Sequence, residues 1–253
     1  MERTIIDTGA SAMLRSVARE VIAGAGLAVL RGPVGIGKTF ALDLIEAELT
    51  AEGIDVVRVT ANPAISGNVH AFMRAILGPN CIETGSTADA AEAVWAMLHG
   101  YPFRSWGRRV LLIIDEAQEV AGRVLETIRG IWDMGDAARL GDDSAPAFGC
   151  MLVGNSSFMG KGGAQRVASF RPLLSRLTHD LRLPSPGRAE CAALAAAVFP
   201  GEPELQAMLA GLGEDRGNLR AMAIAARQAQ VIAGGNDVTV THLRSAIRAM
   251  GGN

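Results

Sequence analysis

The sequence predicts an α/β protein, a doubly wound parallel sheet flanked by helices and followed by a small all-α domain. Three observations carry that expectation. Short apolar runs, several apolar on both faces as buried parallel strands are, alternate with helical patterns over the first 183 residues. The first run leads through a glycine-rich turn, "GPVGIGKT", directly into a helix. After "LPSPG" (183–187) two prolines and a glycine break the chain, and everything beyond reads as helix.

Taken in order, "LAVLR" (27–31) is the first strand. "KTFALDLIEAELTAEG" (38–53) follows as a helix with Ala41, Leu42, Ile45 and Leu49 on one face and Gly53 as its stop. "IDVVRVT" (54–60) is the second strand. Residues 86–99 form a helix opened by Ser86 and Asp89 at capping-box spacing. "RVLLIID" (109–115), "CMLVGN" (150–155) and "HDLRL" (179–183) complete five strands, and the acidic stretch 133–149 between two of them reads as a surface loop. In the tail, Leu219, Met222, Ala223 and Ala226 make one stripe, and Leu243, Ile247 and Met250 another behind Thr241 as a cap. The expected domains are 1–184 and 187–253.

Composition narrows the function classes. With 49% hydrophobic residues in 253, the chain can bury a sizeable core. Only 4% are aromatic while glycine and alanine abound, which suits packed helices better than a β-sandwich. The net charge of −2 excludes a globally basic nucleic-acid binder, so any such contact needs a local patch. Cys81, Cys150 and Cys191 are odd in number and unpaired in spacing, which supports neither a disulfide framework nor a zinc site. No signal peptide or membrane span is read, so a cytoplasmic location is expected. His70, His99, His179 and His242 show no ligand spacing and read as surface or packing residues.

Two motifs carry chemistry. Gly32, Pro33, Val34, Gly35, Ile36, Gly37, Lys38 and Thr39 match G-x-x-x-x-G-K-[ST] in full between a strand and a helix, with Phe40 next in the helix. Glycines let backbone N–H groups curl around phosphate oxygens, and the helix N-terminus adds partial positive charge. Lys38 reaches the β and γ phosphates of ATP, and Thr39 can ligate Mg²⁺. In "VLLIIDEAQ" a buried strand ends in Asp115, assigned to the metal, and Glu116, assigned to the attacking water. Acids in that position also cap helices, and it is their pairing with the phosphate loop that points to catalysis. Gln118 either joins the water network or is a solvated first-turn residue, and the second is preferred.

Together these motifs resemble the AAA+ ATPases over nearly the whole chain, which implies a P-loop AAA+ sheet of five parallel strands with a helical lid. The resemblance assigns Asn155, ending "MLVGN", to sensor 1 and Arg220 in "RGNLRAMA" to sensor 2. It assigns Arg176 in "LLSRL" to an arginine finger, with Arg171 as the alternative. The family's fifth strand lies on the far side of the first from the Asp115 strand, so Arg176 is expected to reach a neighbouring subunit's ATP.

Within that family the run "VGNSSFMGKGGAQRVASFRPLLSRLTHDLRLPSP" is similar to transposition-helper ATPases of the phage Mu B-protein type. That implies an ATP-dependent homo-oligomer, ring or helical filament, on double-stranded DNA without sequence preference, serving a transposase or integrase. One departure is that only about 25 residues precede the first strand, so the DNA grip is expected from the ATPase domain itself. Lys161 and Arg166 are the candidate DNA contacts, in a segment where five basic residues face the single acid Asp180. A basic run can equally be a solvated face. "YPFRSWGRR" (101–109) is a weaker second patch. The competing reading is an ATP-gated adaptor for a protein client without DNA binding, and a third is a nucleotide-binding module without turnover.

Overall fold

The structure is a computed structural model that describes residues 6–79, 84–99, 109–139, 148–158 and 171–251, with the side chains of 135–139 left aside. Its strands are β1 (Leu27–Gly32), β2 (Asp55–Thr60), β3 (Val110–Asp115), β4 (Gly149–Asn155) and β5 (His179–Arg182). They form one parallel sheet in the order β2-β3-β4-β1-β5. β2 runs beside β3 from Asp55 opposite Val110 to Thr60 opposite Asp115, and β1 beside β5 from Ala28 opposite His179. The carboxyl ends of the strands therefore share one edge.

The chain divides into two compact units, 14–31 with 42–182 and 1–13 with 32–41 and 183–253. The first holds the sheet and its helices, α1 (Gly9–Gly24, from Leu14 onward), α2 (Lys38–Ala51, from Leu42 onward), α3 (Val69–Leu77), α4 (Thr87–His99), α5 (Gly122–Arg139) and the short α6 (Arg171–Leu174). Every residue of β3 is buried, because helices cover both sheet faces. Its core joins Leu112 and Ile114 to Leu152, Phe72, Met73, Val124, Leu125 and Phe148. On the other face α1 comes so close that a Cβ on Gly149 would stand 2.7 Å from the Val21 carbonyl oxygen.

Ala41, Leu42, Ile45 and Leu49 are all buried, Gly53 ends its helix at φ +81°, and Ser86 Oγ accepts from Asp89 N at 3.1 Å as a helix cap. Two expectations change. α1 was not anticipated, although Leu14, Val17, Ala18, Val21 and Ile22 recur at helical spacing and are buried. The stretch after Asp133 is not all loop, since α5 continues to Arg139. Ile128, Ile131 and Trp132 anchor that helix, and the indole Nε1 of Trp132 donates to the Ala25 carbonyl at 3.1 Å.

The second unit contains α7 (Arg188–Val198), α8 (Pro203–Arg216), α9 (Leu219–Ala233) and α10 (Val240–Ala249). Cys191, Ala195, Leu209, Met222, Ala225, Ala226, Ala229, Leu243 and Ala246 are its core. Small residues let the helices approach closely, and a Cβ on Gly213 would collide with the sulfur of Met222. The buried stripe of α9 differs from the expected one, because Ala223 is exposed and Ala221, Ala225 and Ala229 are buried. An alanine-rich helix offers little hydropathic contrast by which to orient it. The cap of α10 is Thr239 rather than Thr241. Its hydroxyl accepts from His242 N at 3.4 Å while His242 Nδ1 accepts from Thr239 N at 3.2 Å, since Val240 must already be helical to pack.

Candidate functional site

The glycine-rich loop leaves β1 at Gly32 and becomes helix at Lys38. Gly35 and Gly37 hold φ of +83° and +93°, a left-handed backbone that turns successive N–H groups inward into an anion-binding nest. Ile36 is buried against Gly32, where a Cβ would stand 2.8 Å from its Cδ1. The buried Lys38 Nζ donates to the carbonyl oxygens of Gly32 at 3.1 Å and Pro33 at 2.8 Å, so the ammonium is kept at the loop. Thr39 and Phe40, in the first turn of α2, are exposed, as is Val34.

The start of α9 closes on this loop within the same compact unit. Arg220 N donates to the Gly35 carbonyl at 3.0 Å. Asn218 caps α9 through Ala221 N at 3.2 Å, and its side chain occupies the space that a Cβ on Gly35 would need. Arg220, expected as sensor 2, is thus tied to the loop by its backbone while its side chain is exposed. Asn218 was not anticipated as a loop neighbour, although an asparagine before a helical stripe is a legible cap.

In the sheet unit, Asp115 is fully buried at the end of β3. Its Oδ1 accepts from Glu116 N at 2.9 Å and its Oδ2 from Arg58 Nη2 at 3.3 Å. Arg58 rises from β2 and also meets Asp43 at 2.5 Å and Glu46 at 3.4 Å, both on α2. Burial works against its charge, but the bond to Asp43 and the charges of Asp115 and Glu46 outweigh it and hold the guanidinium above its ordinary value. Sequence reasoning passed over Arg58, although an arginine among valines in "VVRVT" is a visible anomaly.

Glu116 follows in the left-handed region at φ 54° and ψ 38°. Gln118 Nε2 donates to its Oε2 at 2.5 Å, and Gln118 Oε1 accepts from Asn155 N at 2.9 Å. Gln118 is therefore not a solvated first-turn residue; it is half-buried between two expected catalytic residues. Asn155 turns its own Oδ1 to Ser157, accepting from N at 2.9 Å and Oγ at 2.6 Å. The structure thus brings Asp115, Glu116 and Asn155 together, with Arg58 and Gln118 added.

Arg176 stands just beyond α6, beside β5. Its Nε donates to Asp133 on α5 at 2.8 and 3.0 Å, and Nη1 donates to the Pro172 carbonyl at 3.2 Å. Asp133 also pairs with Arg129. Arg171, the alternative finger, is exposed. Lys161 and Arg166 lie outside the described residues, as does most of 101–109. No cluster of three metal-ligating side chains occurs among the described residues, and no helix there is long and apolar enough to cross a membrane. Thr39 and Asp115, the residues expected to ligate Mg²⁺, each carry a side-chain oxygen, the donor type that a hard cation takes beside phosphate and water.

The model of the AAA domain family matches residues 21–158, more than half the chain and both motifs. The chain belongs to the AAA+ ATPase family. No curated protein matches the sequence. Among solved structures, this AAA+ protein is similar to the ORC2 protein of Aeropyrum pernix in its ADPNP–ADP complexes, at TM-score 0.67 and 19% identity over 98% of this chain and 70% of that one. It is similar to Cdc6p of Pyrobaculum aerophilum at TM-score 0.67 and 16% identity, covering 94% and 65%. Domain III of the Thermotoga maritima replication initiation protein DnaA gives TM-score 0.53 and 15% identity, covering 97% and 94%. At such identities the likeness is one of fold.

Proposed function

We propose that the chain is an ATP-hydrolysing AAA+ protein that assembles with itself on double-stranded DNA and presents that DNA to a transposase or integrase, hydrolysis releasing it. The observation that carries the nucleotide part is the loop, where two left-handed glycines and a captive Lys38 precede α2. The DNA part is supported by the basic segment around Lys161 and Arg166 and by a fold shared with a protein named for replication initiation. Residues 1–184 are the nucleotide-binding domain and 187–253 the lid, and the cytoplasm is its place of action.

In this reading the loop N–H groups and Lys38 hold the phosphates of ATP, and Thr39 and Asp115 hold Mg²⁺, which neutralises phosphate charge when bound. Glu116 orients a water and takes its proton as the water oxygen attacks the γ-phosphorus and the bond to ADP breaks. Asn155 contacts the γ-phosphate side and Arg220 reports on it from the lid. Arg176 of the partner subunit supplies the remaining positive charge, which in related chemistry is worth roughly 10³ to 10⁵ in rate.

Salt-dependent retention on duplex DNA with ATP and not with ADP, accompanied by phosphate release, is the expected result. Phosphate release with equal passage through the DNA column in both nucleotides would favour the adaptor reading, with a protein client in place of DNA.

A further inference from the structure

We infer that Gln118 is a positioning residue for hydrolysis, a rigid amide link that aims Glu116 and makes its aim depend on the end of β4. The inference rests on the ATPase reading above. The 3₁₀ turn Ala117–Glu119 follows Glu116 immediately and brings the Gln118 side chain back over it. Glu116 sits in a backbone region that non-glycine residues adopt only when their surroundings hold them there. Two hydrogen bonds of its main-chain groups do so: Glu116 N donates to the side-chain Oδ1 of Asp115 at 2.9 Å, and Glu116 O accepts from Glu119 N at 2.9 Å. The side chain of Glu116 is then oriented by Gln118 Nε2.

The direction of the amide follows from chemistry. Asn155 N–H can only donate, so the end of Gln118 that faces it must be the oxygen, and the NH₂ end is left to face Glu116. Rotating the amide by half a turn would set donor against donor and carbonyl against carboxylate. Gly154 supplies the room, since a Cβ there would lie 3.0 Å from Gln118 Oε1 and 2.9 Å from Phe158 Cβ. A shift of β4 at Asn155 would therefore move the amide and, through it, the Glu116 carboxylate. Gln118 acts through Glu116 and has no contact with the reacting atoms in this role.

Gln118→Leu and Gln118→Glu separate this role from simple packing. Leucine removes both bonds, and losing one hydrogen bond to a charged group corresponds to about a ten- to hundredfold fall in kcat. KM, ATP affinity and the thermal midpoint stay near wild type. Glutamate keeps the bond from Asn155 N but sets a second carboxylate against Glu116, where the amide had donated. Gln118→Glu should therefore lose kcat at least as far as Gln118→Leu, although it keeps the bond from Asn155 N. Gln118→Leu within twofold of wild type, or Gln118→Glu as active as wild type, would overturn the inference while wild-type turnover persists. Failure of the ATPase reading would look different, with no phosphate release from the wild-type chain given ATP, Mg²⁺ and duplex DNA.

Discussion

Replacing Arg58 by methionine keeps its aliphatic stem and removes the guanidinium that joins β2 to the buried Asp115 and to α2. Breaking a buried ion pair from one side costs about 3–5 kcal/mol as an upper range. The cost here is smaller. The Arg58–Asp115 contact is 3.3 Å long, and Asp115 keeps its bond from Glu116 N. The other two partners, Asp43 and Glu46, are 55% and 40% exposed, so each contributes less than about 1 kcal/mol. A loss of about 2 kcal/mol is expected, seen in urea titration and as a fall of about 4–8 °C in Tm. Asp115→Asn on the same background should recover part of it, because the uncompensated buried charge is then gone. Strict additivity of the two substitutions, within about 0.5 kcal/mol, would refute the coupling.

Three further outcomes follow from the same geometry. Glu116→Gln should retain ATP binding and lose turnover by at least about a hundredfold, accumulating an ATP-bound assembly visible by sedimentation. Gly35→Ala forces a Cβ into φ +83° and against Asn218, so ATP affinity should fall by more than about tenfold in a fluorescent-nucleotide titration. His99 is buried between Trp95 and Phe148 with Nδ1 2.9 Å from the Trp95 carbonyl, and burial holds it below its ordinary 6.5. The unfolded chain therefore takes up the proton first, and its share of stability is whole above pH 7 and declines as pH falls below 6.5. His99→Phe should flatten the fall in unfolding free energy between pH 7 and pH 5.

The phosphate loop and the acids after β3 were legible because their chemistry is contiguous, eight residues around one turn and two at one strand end. Strand positions were legible for a similar reason, since a strand buried on both faces is a run of apolar residues. What remained hidden is pairing at a distance. Arg58 and Asp115, or Arg176 and Asp133, meet only through the sheet and helix packing, and no local pattern announces them. The Gln118 bridge was hidden by direction, because only the left-handed turn at Glu116 sends that side chain inward. The extent of α5 was hidden by propensity, since "DMGDAAR" reads as loop until Ile131 and Trp132 are seen to anchor the helix ahead of it.

Mixing two inactive variants tests the shared nucleotide pocket most directly. Arg176→Ala keeps its own Glu116, and Glu116→Gln keeps its own Arg176, so a guanidinium acting across a subunit boundary lets one variant serve the other. Phosphate release from the mixture should exceed the sum of the two proteins measured apart, peaking near equal proportions. A mixture no more active than that sum, or an Arg176→Ala protein that turns over like wild type by itself, would contradict it.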